Sequence, residues 1–321
     1  MRVLITGGLG VNGCWVTRQF LAAGHEAVVF DNRPDFSLTR DIADRFEFVE
    51  GDILDSDSLA RTLKERRIER ICHLAAIYPS ACDEVPLRGF EINALASVRL
   101  LEAARIAGVR RVVFTSSVAA LAPFPAMQPG EVLRVDESYP SCPGDSGVYG
   151  ATKVAAELMG MNYARLYGIE FAALRFASIY GPGKLAPRHG DASMFVIPNV
   201  IVRALAGKPI SLPYASNQPF DLVYADDVAD SIVRACVADA LPHSIYHIGA
   251  GRTYALGEFC AAVSAAIPGA KIEFAPESQG GARSAWYFDI SRADSDFGYR
   301  PRYTPESAIR HWLDWSTKLG I

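Results

Sequence analysis

A strand, a glycine-rich turn and a helix at the start of the chain constrain its fold more than any other feature. The apolar run from Val3 to Ile5 predicts a buried parallel strand, and a helical stretch runs from Cys14 to Ala23. Glycines at such a turn let the backbone approach a pyrophosphate, and the helix start offers free N–H groups and positive potential. The pattern therefore predicts a dinucleotide site. Its residues at this turn are Gly7, Gly10, Val11, Asn12 and Gly13.

A second predicted strand, from Ala27 to Phe30, ends in an acid that bears on the choice of dinucleotide. Asp31 lies about 20 residues past the glycines, where a carboxylate accepts hydrogen bonds from the adenosine ribose. A carboxylate there also repels a 2′-phosphate, so we expect NAD rather than NADP. Arg33 could accept that phosphate and keeps NADP open, and Asn32 between them is a further predicted cofactor residue.

Tyr149 and Lys153, four positions apart, predict a catalytic pair on one helix face. An ammonium beside a phenol favours the phenolate and lowers a pKa that is ordinarily about 10. Such a phenol can take or give the proton of an alcohol. Ser117, upstream at a predicted strand end, can hold that alcohol in place. With a hydride carrier bound, the three residues predict interconversion of an alcohol and a carbonyl.

Together these motifs resemble those of the extended short-chain dehydrogenase/reductases, in the NAD-dependent epimerase/dehydratase family, over nearly the whole chain. The glycines match TGxxGxxG, and Ser117, Tyr149 and Lys153 match the catalytic triad. The resemblance implies that Tyr149 is the general acid/base, that Lys153 lowers its pKa and binds the nicotinamide ribose, and that Ser117 orients the reacting oxygen. It adds cofactor residues from the GD-apolar element, the HLAA strand end and later segments. These are Asp52, Ile53, Leu74, Ala75, Ala76, Asn93, Thr115 and Phe176.

Strand-like and helix-like segments alternate through the first half of the chain. This alternation predicts an α/β fold with a doubly wound parallel sheet of the Rossmann type and a site at the carboxyl ends of its strands. We expect an NAD-binding domain over 1–176. The resemblance implies a smaller, interleaved α+β substrate-binding domain over 177–321, from which about 217–246 returns to the main sheet. Strands are predicted over 2–6, 26–30, 46–49, 70–74, 111–115 and 171–176, and helices over 12–23, 56–67, 90–107, 148–167 and 304–318.

The substrate end departs from the family pattern. Family members that act on nucleotide-sugars commonly hold the substrate diphosphate with an asparagine where this chain has Ser178 and an arginine where it has Phe220. Phenylalanine cannot pair with a phosphate, whereas an arginine fork is the usual partner. Arg283 stands at the family's second anion-binding position. The predicted substrate residues are Tyr78, Ser117, Tyr149, Ser178, Phe220 and Arg283.

The leading hypothesis is an NAD-dependent oxidoreductase that moves a hydride between NAD and a secondary alcohol of a sugar, sugar acid, hydroxy acid or amino acid. The alternative is a sugar or nucleotide-sugar (UDP-sugar) 4-epimerase with retained NAD, because the same triad serves both reactions. A non-catalytic NAD-binding regulatory protein is a third hypothesis, and it does not explain the triad. A 4,6-dehydratase is disfavoured, because Val118-Ala119 follows Ser117 where dehydratases usually have Asp-Glu.

Composition excludes several other classes of protein. A net charge of −4 over 321 residues gives no electrostatic case for nucleic acid or anionic membrane partners. The six cysteines show no CxxC spacing, and no His/Cys/Asp cluster has the spacing of a metal site, so we expect no metal. The chain has no apolar run of transmembrane length and starts with a strand rather than a signal peptide. We therefore expect a cytoplasmic protein with a small-molecule substrate.

The resemblance also implies a homodimer, because helices 90–107 and 148–167 match the pair that forms a four-helix bundle between subunits in the family. Small residues in these helices permit close packing: Ala94, Ala96, Ala103, Ala104, Ala155 and Ala156.

Overall fold

A seven-stranded parallel sheet forms the centre of the protein, with the order β3-β2-β1-β4-β5-β7-β12. The computed structural model describes residues 1–125, 127–128, 131–142, 144, 147–183, 196–276 and 285–320. The strands of this sheet are β1 (Arg2–Thr6), β2 (Glu26–Asp31), β3 (Glu47–Glu50), β4 (Arg70–His73), β5 (Arg111–Ser117), β7 (Glu170–Phe176) and β12 (Ile245–Ile248).

Helices cover both faces of this sheet. Both faces are apolar, because successive side chains of a strand point to opposite sides. Along β1, Val3 and Ile5 enter one core and Leu4 enters the other. The helices are α1 (Val11–Ala22), α2 (Ser56–Glu65), α3 (Pro79–Glu84), α4 (Pro86–Phe90), α5 (Ala96–Ala107), α6 (Gly147–Tyr167), α7 (Val196–Leu205), α8 (Ala225–Val237), α9 (Leu256–Ala266), α10 (Ser291–Phe297) and α11 (Pro305–Leu319). Helices α1 and α8 pack in the first core, and α2, α5 and α6 in the second.

The chain order of the strands reverses between β1 and β4. From β1 the chain builds outward to β2 and β3, then returns to β4 and builds the other way through β5, β7 and β12. In open α/β sheets, ligands bind at the carboxyl ends of the strands beside such a reversal. The prediction of a doubly wound parallel sheet is confirmed, and the reversal defines where a ligand belongs.

The last strand of the sheet comes from the second half of the chain. Residues 245–248 of β12 pair with residues 173–176 of β7 and cover its outer edge. Helix α8, which precedes β12, packs against α1. The division of the chain into domains at residue 176 stays a prediction.

The remaining strands of the described ranges form four two-stranded sheets, none of which was predicted: β10 with β13, β11 with β8, β14 with β9, and β15 with β6. A third core lies among them, where α7, α9 and α11 bring together apolar side chains such as Ile201, Phe259 and Trp312. The short strands are β6 (Leu133–Val135), β8 (Ser178–Tyr180), β9 (Ile210–Leu212), β10 (Pro219–Phe220), β11 (Leu222–Tyr224), β13 (Tyr254–Ala255), β14 (Ile272–Phe274) and β15 (Trp286–Phe288).

One predicted helix differs in form from the prediction. The segment predicted as a helix over 90–107 contains a π-helical turn, Glu91–Leu95, between α4 and α5. Single π-turns within helices are frequent at functional sites. This one carries Ile92 and Asn93, whose places in the site are described below.

The structure also describes the six thiols and the length and apolarity of the helices. The six cysteines are free thiols, of which Cys142 is exposed and the other five are buried. Within the described ranges, no helix combines the length and the apolarity that crossing a membrane requires.

Candidate active site

A large cleft with a volume of about 1210 Å³ lies at the carboxyl ends of β1, β2, β4, β5 and β7. It brings together all but two of the predicted site residues. Those that line it are Gly7, Gly10, Val11, Asn12, Gly13, Asp31, Asn32, Arg33, Asp52, Ile53, Leu74, Ala75, Ala76, Tyr78, Thr115, Ser117, Tyr149, Lys153, Phe176, Ser178 and Phe220. Asn93 is not among them, and Arg283 lies outside the described residues.

The glycine turn needs glycine for stereochemical reasons. Gly7 has φ +69°, in the left-handed region that favours glycine. A Cβ on Gly13 would lie 2.2 Å from the carbonyl oxygen of Gly7, which is too close for any residue other than glycine. The turn therefore presents bare backbone and the start of α1 to the cleft.

The start of α1 is built to receive an anion. No side chain caps the helix at Gly10, so its first N–H groups are open to a ligand. In the first turn, the buried Oδ1 of Asn12 has no hydrogen-bond partner among the described residues. Buried polar atoms are rarely left unpaired, so this oxygen fits a ligand group that donates to it. The residues present at this end of the cleft thus fit a dinucleotide.

Asp31 is held in place by the glycine turn. Its Oδ2 accepts a hydrogen bond from the backbone N–H of Leu9 at 3.1 Å, and its Oδ1 accepts one from the N–H of Arg33 at 3.1 Å. Burial raises the pKa of Asp31, and these hydrogen bonds oppose the rise. The carboxylate therefore has a fixed orientation at the end of β2, where the cleft wall includes Arg33.

A buried polar network fixes the carboxyl end of β4. The hydroxyl of Thr6 contacts Nδ1 of His73 at 2.7 Å, and Nε2 of His73 contacts the hydroxyl of Ser97 at 3.0 Å. Burial first, and then the ammonium of Lys153, lower the pKa of His73 to about 3, so its ring is neutral. Thr115 adds a hydrogen bond to the carbonyl of His73 at 3.0 Å. This network supports the cleft wall from behind.

Asn93 belongs to this support rather than to the cleft surface. Its side-chain oxygen accepts a hydrogen bond from the N–H of Ile77 at 2.9 Å, and its amide donates to the carbonyl of Ile77 at 3.0 Å. Both polar ends of the side chain are thereby paired. The cleft residue of this turn is its neighbour Ile92, which sequence reasoning missed. The spacing of Arg88 and Ile92, four residues apart and both lining the cleft, was the available signal.

Lys153 is anchored at the base of the cleft. The side chain is 2% exposed, and its Nζ donates to the carbonyl of Thr115 at 2.8 Å. Its Nζ also lies 5.4 Å from the ring centroid of Tyr149. Burial lowers the pKa of Lys153 to about 8, while Cys82 and Glu157 act in the opposite direction. The amine therefore titrates near neutrality.

The pKa of Tyr149 departs from the sequence-based expectation. Burial raises it, Tyr78 and Cys82 add to the rise, and a hydrogen bond with Ser117 opposes it. Burial is the largest of these effects, because a buried phenolate loses its hydration. Tyr149 is therefore a neutral phenol at neutral pH in this structure.

The substrate end of the cleft is mostly apolar. Phe220 stands edge-on to Tyr214, with 6.1 Å between ring centroids. Ser178 and Tyr78 line the same space, as do residues 196–198 at the start of α7, which sequence reasoning did not identify. No simple sequence pattern marks residues 196–198, because their place depends on how the third core packs.

The cleft combines a Rossmann sheet and its glycine turn with a tyrosine, a lysine and a serine. This combination defines an enzyme of the nicotinamide-dependent oxidoreductase class. Comparison with known proteins narrows this class. The chain belongs to the NAD dependent epimerase/dehydratase family, whose model matches residues 3–249. The predictions of an enzyme and of NAD-dependent chemistry are thereby confirmed.

Several relatives match over almost their whole length. The chain is 33% identical to the UDP-glucose 4-epimerase of Mycolicibacterium smegmatis, with 98% of each chain covered. It is 29% identical to the UDP-glucose 4-epimerase of Thermus thermophilus, solved in complex with NAD, with a TM-score of 0.80 and 98% of each chain covered. The Thermotoga maritima UDP-glucose 4-epimerase, solved with UDP-glucose, shares the fold, with a TM-score of 0.84 over 100% of both chains at 23% identity.

Proposed function

We propose that the protein is a sugar 4-epimerase that uses bound NAD. The observation that carries the proposal is the continuity of one cleft. The same cavity runs from the glycine turn at Gly7, past Tyr149 and Lys153, to the apolar wall at Phe220. Relatives that match over nearly their full length are named UDP-glucose 4-epimerases, which supports this reaction over other chemistry of the family.

The dinucleotide half of the cleft has a partner for each part of NAD. The first N–H groups of α1 would hold the pyrophosphate, Asp31 the adenosine ribose, and Asp52 and Ile53 the adenine. A hydroxyl of NAD would donate to the unpaired Oδ1 of Asn12. Lys153 would bind the nicotinamide ribose. The carboxylate of Asp31, held by two backbone N–H groups, favours a free 2′-hydroxyl, so we propose NAD over NADP.

When bound, NAD supplies a group that accepts a hydride from a carbinol carbon and returns it. Tyr149 takes the proton of the substrate hydroxyl in the oxidation and gives it back in the reduction. Ser117 aligns the reacting oxygen, and its hydrogen bond stabilises the phenolate of Tyr149. The ammonium of Lys153 compensates the negative charge that develops on the phenolate. Inversion requires that the sugar present either face of its oxidised carbon to the same hydride carrier, so it has to turn over within the substrate end of the cleft.

A second activity is favoured by Ser178 and Phe220. Both line the cleft at the substrate end, and neither carries a charge that pairs with a diphosphate. If the substrate lacks a diphosphate anchor, product and NADH could leave separately, and the protein would act as a dehydrogenase of a small hydroxylated substrate. The identity of the sugar carrier is therefore the point that an experiment has to decide.

The test is incubation of the purified protein with NAD and a panel of sugars, sugar acids, hydroxy acids and UDP-sugars, with NADH absorbance and product identity followed together. Conversion of a substrate into its 4-epimer without net NADH is the expected result. NADH accumulating in proportion to one substrate would replace the epimerase with the dehydrogenase. Tyr149→Phe is the control, and turnover that survives it is not due to this site.

We also propose that the protein is a homodimer through α5 and α6. The small residues that suggested this from the sequence, Ala94, Ala96, Ala103, Ala104 and Ala156, are buried within the subunit. The proposal now depends on exposed apolar side chains of the same helices, namely Ile106, Leu158, Met159, Leu166 and Tyr167. Light scattering on the wild type and on Leu158→Glu would test it. A monomeric wild type contradicts the proposal.

A further inference from the structure

A buried ion pair lies directly beneath the catalytic residues. Oε1 of Glu157 accepts hydrogen bonds from Ser116 Oγ at 2.5 Å and from Arg175 Nε at 2.9 Å. Oε2 accepts one from a terminal nitrogen of Arg175 at 2.6 Å. Glu157 is 1% exposed and Arg175 is 3% exposed. Both charges are therefore out of water, where a pair is maintained only by this full set of hydrogen bonds.

Ser116, Arg175 and Glu157 each lie close to a cleft residue in the chain. Ser116 precedes Ser117 at the end of β5, and Arg175 precedes Phe176 at the end of β7, where the two strands are in register. Glu157 lies one turn beyond Lys153 on α6, on the same face. The carboxylate thus joins the catalytic helix to both strands at the level of the site.

A further contact extends the network to the segment before α6. A terminal nitrogen of Arg175 also donates to Ser141 Oγ at 2.6 Å. This contact joins the ion pair to a residue that precedes α6 in the chain.

The charge of Glu157 also acts on Lys153. It opposes the effect of burial, which lowers the pKa of Lys153 to about 8. The other titratable groups are Cys82 on α3 and His73 on β4, which act with Lys153, and His247 on β12, which lies near Arg175. Burial lowers the pKa of both histidines to about 3, so neither carries charge at neutral pH. Burial raises the pKa of Cys82, so it is a neutral thiol. Glu157 is therefore the carboxylate that raises the pKa of Lys153 against the effect of burial.

We infer that Glu157 is a positioning residue for catalysis: through Ser116 and Arg175 it sets the place of α6 against the sheet, and through its charge it keeps Lys153 an ammonium. Removing the carboxylate has two separable consequences. Tyr149 and Lys153 lose their alignment with Ser117, which lowers kcat. Loss of the Glu157 charge also disfavours protonation of Lys153, which moves the pH dependence to lower pH.

The experiment compares Glu157→Gln and Glu157→Asp in the NAD-loaded enzyme. The readouts are the pKa of Lys153, from the Cε chemical shift of ¹³C-labelled lysine assigned with Lys153→Met, and the pH profile of kcat. Glu157→Gln is expected to lower the pKa of Lys153 by about one unit and to move the pH optimum down with it. Glu157→Asp keeps the charge but shortens the reach, so kcat falls about tenfold with the pKa of Lys153 unchanged.

The matched control is Glu170→Gln, at the other end of the same two strands. Glu170 pairs with the buried Arg111, so the variant also leaves a buried guanidinium without its carboxylate. It should lower the melting temperature and leave the pKa of Lys153 and the pH optimum in place. An equal displacement in Glu170→Gln, or none in Glu157→Gln, overturns the inference.

If Glu157→Gln does not fold, a double variant that removes both charges of the ion pair tests the positioning role. In Glu157→Gln combined with Arg175→Gln, no unpaired charge is left to destabilise the fold, and kcat should remain about tenfold or more below that of the wild type. Wild-type kcat in this double variant refutes the positioning role.

The kinetic readout depends on the proposed function, but the titration of Lys153 does not. If no sugar is turned over, the epimerase proposal fails, and the displaced pKa of Lys153 in Glu157→Gln still supports the charge effect. If a substrate is turned over and Glu157→Gln has an unchanged pH profile and Lys153 pKa, the inference alone fails.

Discussion

The two ends of strands β5 and β7 carry similar residues with different surroundings. At the amino ends, Arg111 faces Glu170 across the strand pair, and at the carboxyl ends Ser116 faces Arg175 with Glu157 above them. Arg111 also donates to the carbonyls of Ala235, Cys236 and Ala238 at the end of α8, at distances of 2.6–3.0 Å. One buried arginine thus terminates a helix, whereas the other lies beneath a reaction site. Burial and pairing alone do not distinguish a charge that stabilises the fold from one that supports catalysis. The residues next to the ion pair make this distinction.

The largest expected effect falls at the carboxyl end and leaves the fold alone. Tyr149→Phe removes the group that exchanges a proton with the substrate, so kcat should fall by a factor of about 10²–10⁴ or more. Binding of NAD, measured by calorimetry, and the melting temperature should change little. Activity within a few-fold of the wild type would rule out the assignment of Tyr149.

The amino end should show the reverse pattern. Arg111→Met removes a donor from the carbonyls of Ala235, Cys236 and Ala238 and leaves Glu170 with Arg110 alone. We expect the free energy of unfolding to fall by about 1–3 kcal/mol, since a buried acceptor that loses its donor costs about that much. Denaturant titration measures this loss, and kcat per folded molecule should be unchanged. A reduced kcat with normal stability would erase the distinction between the two ends.

The two ends should also differ in their response to pH. The pKa of about 8 for Lys153 means that the ammonium is lost as pH rises through this value, so kcat should fall about fivefold between pH 8 and pH 9. Because the pKa of Lys153 is below its unfolded value of about 10.4, loss of this proton does not destabilise the fold, and stability contributed by this group rises over that range. Parallel measurement of kcat and of chemical denaturation would reveal whether both instead decline together.

The smallest expected effect concerns discrimination between cofactors. Asp31→Ala removes the carboxylate that disfavours a 2′-phosphate, and Arg33 remains in the cleft wall. The ratio of NAD to NADP affinity should fall a few-fold, as measured by titration of the two dinucleotides. Asp31→Asn, which keeps the shape without the charge, is the control that separates repulsion from hydrogen bonding. An unchanged ratio in both variants would argue against this role.

Sequence patterns were most informative where chemistry restricts the residue type. Gly7 and Gly13 are required by a positive φ and by a backbone contact, and both were predicted from their spacing. Asn93 was predicted at the cofactor, and in the structure its side chain hydrogen-bonds the backbone of Ile77 from within the π-turn, a contact that spacing alone does not reveal. The raised pKa of Tyr149 could not be predicted from a Tyr-x-x-x-Lys spacing, since burial is a property of the whole fold. Residues 196–198 reach the cleft only through packing of the third core, which no local pattern encodes.

The pairing of β12 with β7 also has a consequence for how the chain is made. On the ribosome, β7 is complete well before residues 245–248 emerge. At synthesis rates of about 5–20 residues per second, its outer edge stays open for several seconds. During that interval the nascent chain presents an apolar strand with unpaired backbone groups, which favours misassociation with other chains. Crowded overexpression should therefore favour aggregation of chains that have not yet added β12, and a chaperone that shields this edge should reduce it.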